Sequence, residues 1–229
     1  ISLSNNVKLL AQYTGATYCS DDTKLLAWDC PFHCKVLTPD SETIAILYNK
    51  ELDVKGTLIK NTKYEFLVLA FRGSNSKVNW ELNGKDTLVP INLGKLNSTS
   101  CPNIKVHQGF QEATIGLRQY YCDSISKLYD QNPNLKSWPL FVVGHSLGGS
   151  IANLASVDLI YNLGLKNIKV YTFGQPRVGN KDFVQLTSSV IKTYIRAING
   201  NDPVPILASS LKGYLHGPTE VHYLANVET

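Results

Sequence analysis

Two rhythms of apolar residues run along this chain. One has helical spacing. Val7, Leu9, Leu10 and Tyr13 recur within residues 5–16 and predict an amphipathic first helix. Phe110, Ala113, Leu117, Tyr120 or Tyr121, Ile125 and Leu128 do the same over residues 108–129, a long helix. The other rhythm is a continuous apolar run bounded by turn residues, which marks a strand covered on both faces. Residues 66–71 are of this kind, and so is the run through Leu140, Phe141, Val142 and Val143. Residues 43–48, 55–59, 64–71, 169–173 and 192–198 read as strands, with Asn49 and Asn61-Thr62-Lys63 as turn-like breaks among the first three. Helices are predicted from Gly149 to Leu163, over 181–189, and over a short stretch, 75–82, carrying Val78, Trp80 and Leu82. Strands alternating with helices predict an α/β fold. A central, mostly parallel sheet carries helices on both faces, and its early strands are antiparallel. No repeat, low-complexity tract or linker divides residues 1–229, which read as one domain.

The most informative stretch joins the two rhythms. The strand ending at Val143 runs into Gly144-His145-Ser146-Leu147-Gly148-Gly149, and a small-residue helix leaves from it. This is the Gly-x-Ser-x-Gly elbow in the strand–turn–helix context it requires. In so tight a turn, side chains two residues either side of the serine would strike neighbouring backbone. The serine accepts a strained conformation that lifts its hydroxyl clear of the sheet. The following helix aims its N-terminal N–H groups at the place where an oxyanion would form. Ser146 is therefore the expected nucleophile.

A serine hydroxyl needs a histidine to take its proton, and the histidine needs a carboxylate to orient it. The chain order that accompanies such an elbow is Ser, Asp, His. Asp202 follows the strand over 192–198, at the same sheet edge as Ser146, in a loop stiffened by Pro203 and Pro205. It is the expected acid. Asp158 lies inside the helix after the elbow and faces away, and Asp182 suits a helix start. The Leu147 N–H is one expected oxyanion donor. Ser74, just after the central strand ending at Phe71, is the other.

Composition narrows the setting. Hydrophobic residues make up 43% and charged residues 17%, which suits a globular domain and not a disordered one. The net charge of +4 is scattered without a basic stripe, which argues against a nucleic-acid partner. No apolar run approaches a membrane span. The chain has no initiator Met and no signal peptide and reads as a mature, processed product. No cysteine or histidine spacing matches a metal site, and the expected chemistry needs no cofactor. Cys30 and Cys34 bracket a short loop suited to a disulfide, and Asn97-Ser98-Thr99 is an N-glycosylation sequon. Both favour a secreted, oxidising setting.

Taken together, these pieces resemble the fungal class 3 (triacylglycerol) lipase family, which also includes feruloyl esterases. The matching stretches are Ala11-Gln12-Tyr13, Ala16-Thr17-Tyr18-Cys19, Phe71-Arg72-Gly73-Ser74 with Asn79-Trp80, and His107-Gln108-Gly109-Phe110. The elbow follows, then Phe173-Gly174-Gln175-Pro176-Arg177-Val178-Gly179-Asn180, Asn201-Asp202-Pro203-Val204-Pro205, and Gly213-Tyr214-Leu215-His216-Gly217-Pro218. The resemblance implies an α/β-hydrolase-like fold, Ser146 as nucleophile, Asp202 as acid, and Ser74 and Leu147 as oxyanion donors. It implies a lid from Asn75 to about Asp86, with Trp80 packing near the acyl groove. It implies a secreted, monomeric ester hydrolase acting at an oil–water interface.

The resemblance also places the catalytic histidine beyond Thr229, with His216 falling on a structural histidine and His222 on no catalytic position. These two are the only alternatives after Asp202. His145 is expected to pack structurally, His107 to bond locally and His33 to be solvated. Pairing Cys30 with Cys34 and Cys101 with Cys122 leaves Cys19 alone, where the family bonds it to a cysteine past the catalytic histidine. Loss of a C-terminal segment would explain both the missing base and the odd cysteine. Three functions compete: a triacylglycerol lipase, a feruloyl or short-chain esterase under a polar lid, and a catalytically dead binding protein.

Overall fold

The computed structural model describes residues 3–224. The chain opens with α1 (Leu3–Ala16) and the short α2 (Asp22–Leu26). Three antiparallel strands follow: β1 (Ser41–Asn49), β2 (Val54–Asn61) and β3 (Phe66–Phe71). After α3 (Lys77–Gly84) come β4 (Leu88–Pro90) and β5 (Lys105–His107), which pair with each other apart from the main sheet. The long α4 (Gln108–Gln131) leads into β6 (Leu140–His145), α5 (Leu147–Leu163) and β7 (Ile168–Phe173). The end is α6 (Lys181–Val190), β8 (Thr193–Asn199) and β9 (Glu220–Tyr223). The seven-stranded sheet has the order β1-β2-β3-β6-β7-β8-β9 and is parallel from β3 onward.

Alternation along the central strands explains why they read as unbroken apolar runs. Leu67, Leu69 and Phe71 of β3, Leu140 and Val142 of β6 and Ile168 and Val170 of β7 join the core under α4 and α5. Their neighbours Phe66, Val68, Ala70, Phe141, Val143 and Tyr171 join a second core under α1. With both faces covered, both residue parities must be apolar. Parallel strands joined through right-handed crossovers place β3, β6, β7 and β8 with their carboxyl ends along one edge, and that edge carries the site.

The cysteine pairing differs from expectation. Cys30 bonds Cys19, with Cα atoms 6.1 Å apart, and not Cys34. Trp28 and Phe32 take positive φ of 52° and 70°, and the chain between them turns Cys30 toward the end of α1. The Cys34 carbonyl instead closes a turn with the Thr38 N–H and hydroxyl, at 2.8 and 2.9 Å, and its thiol stays free and buried. Cys101 and Cys122 both pack against the core under α4 and α5, yet remain unbonded. The odd cysteine is therefore not Cys19. His33 also departs from expectation: it is half-buried over Gly15, with Nδ1 2.9 Å from Gln12 Oε1.

Candidate active site

Ser146 sits between β6 and α5 with φ 55° and ψ −124°, a sparsely populated region for a residue with a side chain. Its backbone is held by the Ser146 N–H on the Phe173 carbonyl at 2.9 Å and the Gly149 N–H on the Ser146 carbonyl at 2.9 Å. The glycines carry the steric load read from the sequence. A Cβ on Gly144 would lie 2.1 Å from the Gly148 oxygen, and one on Gly148 would lie 2.2 Å from the Phe71 oxygen. The second contact brings the elbow directly against the end of β3.

Leu147 is the first residue of α5, so its N–H has no carbonyl within the helix to take it. Ser74 stands half-buried after β3, and its Oγ accepts the Asn83 side-chain amide at 2.9 Å. Ser146 and Leu147 line a cleft of about 160 Å³ together with Trp80, Phe110, Val204 and Leu207. Trp80 nonetheless exposes 58% of its surface.

The α3 helix that carries Trp80 is tied at both ends. Asn79 is buried and donates to the Leu52 and Asp53 carbonyls at 2.8 and 3.2 Å. At the other end Lys85 pairs with Glu112, and Asp86 pairs with Lys212. The Asp86 carbonyl also accepts the Tyr214 hydroxyl at 2.9 Å.

Asp202 lies in the loop after β8 and accepts the Val204 N–H at 2.9 Å. It does not line the Ser146 cleft but a neighbouring groove of about 530 Å³, with His145, Gly174 and α1. Two residues further on, Val204 lines the cleft, so this one loop serves both. The loop is clamped through its carbonyls. Arg177 Nη1 donates to Ile206 and Ala208 oxygens at 2.7 and 3.3 Å, and His216 Nε2 donates to the Pro205 oxygen at 2.7 Å.

None of the five histidines stands over Ser146 with a free nitrogen. His107 does line the cleft, but it is buried and stacked on Phe110 at 3.6 Å. Its Nδ1 accepts the Phe110 N–H and its other nitrogen bonds the Asn83 carbonyl, while burial drives its pKa down to about 4. His216 is likewise held neutral, with a pKa of about 4 from burial and the nearby arginines. His222 Nε2 bonds the Gly200 carbonyl at 2.7 Å. His145 points toward the Asp202 groove, and burial lowers its pKa against the pull of Asp202. A histidine beyond Thr229 lies outside the described residues.

Sequence reasoning missed Tyr18, Asn83 and Arg177. They act through hydrogen bonds to residues 9 to 127 positions away, which leave no local pattern. Among the described residues no cluster of side chains could hold a metal ion, and no helix is long and apolar enough to cross a membrane.

Comparison with known proteins places this geometry. The family model described as Lipase (class 3) matches residues 68–211, more than half of the chain. The lipase of Rhizomucor miehei is 30% identical over 95% of this chain, which spans 58% of that protein. The secreted mono- and diacylglycerol lipase 2 of Gibberella zeae is 37% identical over 54% of the chain, which covers 32% of its length. The chain thus spans at most about three fifths of these relatives. The crystal structure of the lipase from Rhizopus microsporus var. chinensis superposes with a TM-score of 0.82 at 26% identity, covering 97% of this chain and 75% of that one. The sheet order, the elbow and these matches agree on an α/β-hydrolase fold, and the chain belongs to the class 3 lipase family.

Proposed function

We propose that this chain is the catalytic core of an exported carboxylic-ester hydrolase acting on triacylglycerol at an oil–water interface. One observation carries the reading: Ser146 stands on a strained elbow at the start of α5, opening into an apolar cleft. In this mechanism Ser146 Oγ attacks the ester carbonyl. The carbonyl oxygen becomes an oxyanion held by the Leu147 N–H and by Ser74. The alcohol leaves with a proton, and water then releases the acyl group from Ser146. Asp202 orients the histidine that moves these protons, and that histidine is contributed from beyond Thr229. The engagement of His107, His216 and His222 elsewhere supports this placement.

The lipid interface is supported by the apolar rim of the cleft. Trp80 and Leu207 line it and are exposed, with exposed Ile206 next to Leu207 in the same loop, and α3 is the lid whose displacement widens it. The polar residues of α3 do not all face water, since Asn79 is buried and Asn83 bonds Ser74. This weakens the case for a polar-lidded esterase.

The test is hydrolysis of p-nitrophenyl butyrate and of emulsified tributyrin by the full-length protein beside Ser146→Ala. The expected result is turnover lost in the variant, with wild-type rate rising sharply above the substrate's solubility limit. Turnover that survives Ser146→Ala overturns the assignment of the nucleophile, and a rate that is flat across the solubility limit favours a soluble-ester esterase. No turnover in either protein favours a binding protein.

A further inference from the structure

The two candidate oxyanion donors stand on separate segments. Ser74 follows β3, while Leu147 opens α5. Both must keep their aim on one oxygen within a few tenths of an ångström for the hole to work. The close backbone contact of Gly148 with Phe71 sets one point of that spacing. A third segment sets another. The Tyr18 hydroxyl oxygen lies 3.0 Å from the Gly73 nitrogen and 2.7 Å from His145 Nδ1.

The Gly73 N–H can only donate, so the Tyr18 oxygen accepts there. The bond to His145 takes its direction from the tautomer: with the imidazole proton on Nε2, beside Gly174 where the Asp202 carboxylate also lies, Nδ1 accepts the single phenolic proton. Tyr18 is itself anchored. The next residue, Cys19, is bonded to Cys30, and the Cys19 carbonyl accepts the nearly buried Lys55 ammonium at 3.0 Å.

We propose that Tyr18 is a positioning residue for the oxyanion hole. Its one hydroxyl staples the loop of Gly73 and Ser74 to the elbow through His145, and so fixes the spacing between the Ser74 and Leu147 donors. This rests on the ester-hydrolase reading.

The test uses Tyr18→Phe in the full-length protein, which keeps the ring and removes the staple. Three quantities are measured: kcat and KM on monomeric p-nitrophenyl butyrate, and the inhibition constant of an alkyl boronic acid. The tetrahedral boronate adduct places an oxygen in the hole. Loss of a whole oxyanion donor costs about 10²–10³ in kcat, so a misaligned one should cost about tenfold to a hundredfold. KM should stay within about twofold, and boronate inhibition should weaken by the same factor as kcat/KM. His145→Asn, which keeps an acceptor near the Nδ1 position, should retain most of the activity. His145→Leu should fall to the Tyr18→Phe level, and the double variant should fall no further. Unchanged kcat and boronate inhibition overturn the proposal, even with a lowered Tm. So does a fall that adds fully in the double variant. Turnover that survives Ser146→Ala instead counts against the hydrolase reading itself.

A separate observation concerns Asn97, in the excursion between β4 and β5. Leu93 and Leu96 are buried and bridge to each other, which pushes the turn from Ser98 to Ser100 outward into solvent. Asn97 Oδ1 accepts the Thr99 and Ser100 N–H groups at 2.9 and 3.1 Å, and Nδ2 gives one proton to the Gly94 carbonyl at 3.1 Å. The second amide proton is the one that a glycosidic bond replaces, so all three contacts survive modification. The excursion is tied to Asn162 near the far end of α5, roughly 24 Å from Ser146 at 1.5 Å per residue. We infer that Asn97 carries an N-linked glycan, on the secretory route proposed above. A lipid-linked oligosaccharide supplies it: the bond from sugar C1 to the lipid diphosphate breaks, C1 bonds Nδ2, and the amide loses one proton.

Protein made in a eukaryotic secretory host, recovered from medium and secretory membranes, is treated with a glycan-removing amidase. Asn97 should then read as Asp in peptide mass, in wild type and Thr99→Ser but not in Thr99→Ala. Unmodified Asn97 throughout overturns the assignment.

Discussion

Asp158 offers the sharpest test of how the core is held. Its carboxylate is fully buried on α5 and faces α4. Arg118 Nε reaches both oxygens at 3.1 and 3.0 Å, the buried Tyr121 hydroxyl donates at 2.5 Å, and Asn162 Nδ2 donates at 2.5 Å. Burial and the Asp158 charge hold the Tyr121 phenol well above its usual pKa, so it stays a donor at any working pH. Asp158→Ala removes the acceptor from three donors at once. Breaking a buried ion pair costs about 3–5 kcal/mol, and an orphaned buried hydroxyl about 1–3. The two overlap, and Arg118 is 31% exposed and can turn partly to water, so the expected loss is about 4 kcal/mol. At about 2–4 °C per kcal/mol for a domain of this size, Tm should fall by about 8–16 °C. Calorimetry at neutral pH reads this directly. Tyr121→Phe supplies the check, since it should cost about 1 kcal/mol in the wild type and nothing, or a gain, in Asp158→Ala. A Tm shift below about 3 °C, or equal Tyr121→Phe costs in both backgrounds, would refute the reasoning.

Three further outcomes follow. Gly148→Ala places a Cβ 2.2 Å from the Phe71 oxygen, and the forced shift of the elbow should lower kcat/KM by about 10², measured on a soluble ester. His107 and His216 both have pKa values near 4, against 6.5 when unfolded. Above about 6.5 both states are neutral there, and between 6.5 and 4 the unfolded chain takes the protons first, so stability should fall with pH across that window. The full depression at His107 is worth roughly 3 kcal/mol, less at the partly exposed His216. Asp53, Asp86 and Glu112 keep their charge there because their pKa values are lowered, so urea unfolding of His107→Gln between pH 6.5 and 5 should show a flatter slope than wild type. Peptide mapping without reductant should join Cys19 to Cys30, and reduction should cost about 3 kcal/mol of stability, as expected for so short a loop.

What the sequence determined was whatever depends on near neighbours. Strands β3 and β6 were legible because both their faces are buried and every residue of β3, and of β6 as far as Val143, is apolar. The elbow was legible because its steric demands fall on Gly144 and Gly148, within two residues of Ser146. The long α4 followed from apolar spacing, and Asp158 was rightly read as facing away from the site. Tertiary structure decided what depends on meetings between distant segments. The four residues of β9 are too few to carry a period, and they form a strand only because β8 offers an edge. Cys30 has Cys34 near it in sequence but Cys19 near it in space, because the backbone turns at Trp28 and Phe32. Tyr18 carries no local signal, yet its hydroxyl meets Gly73 and His145, 55 and 127 residues away. Polar bonds of this kind are short-ranged and directional, so they appear only once packing against the two cores has set the backbone in place.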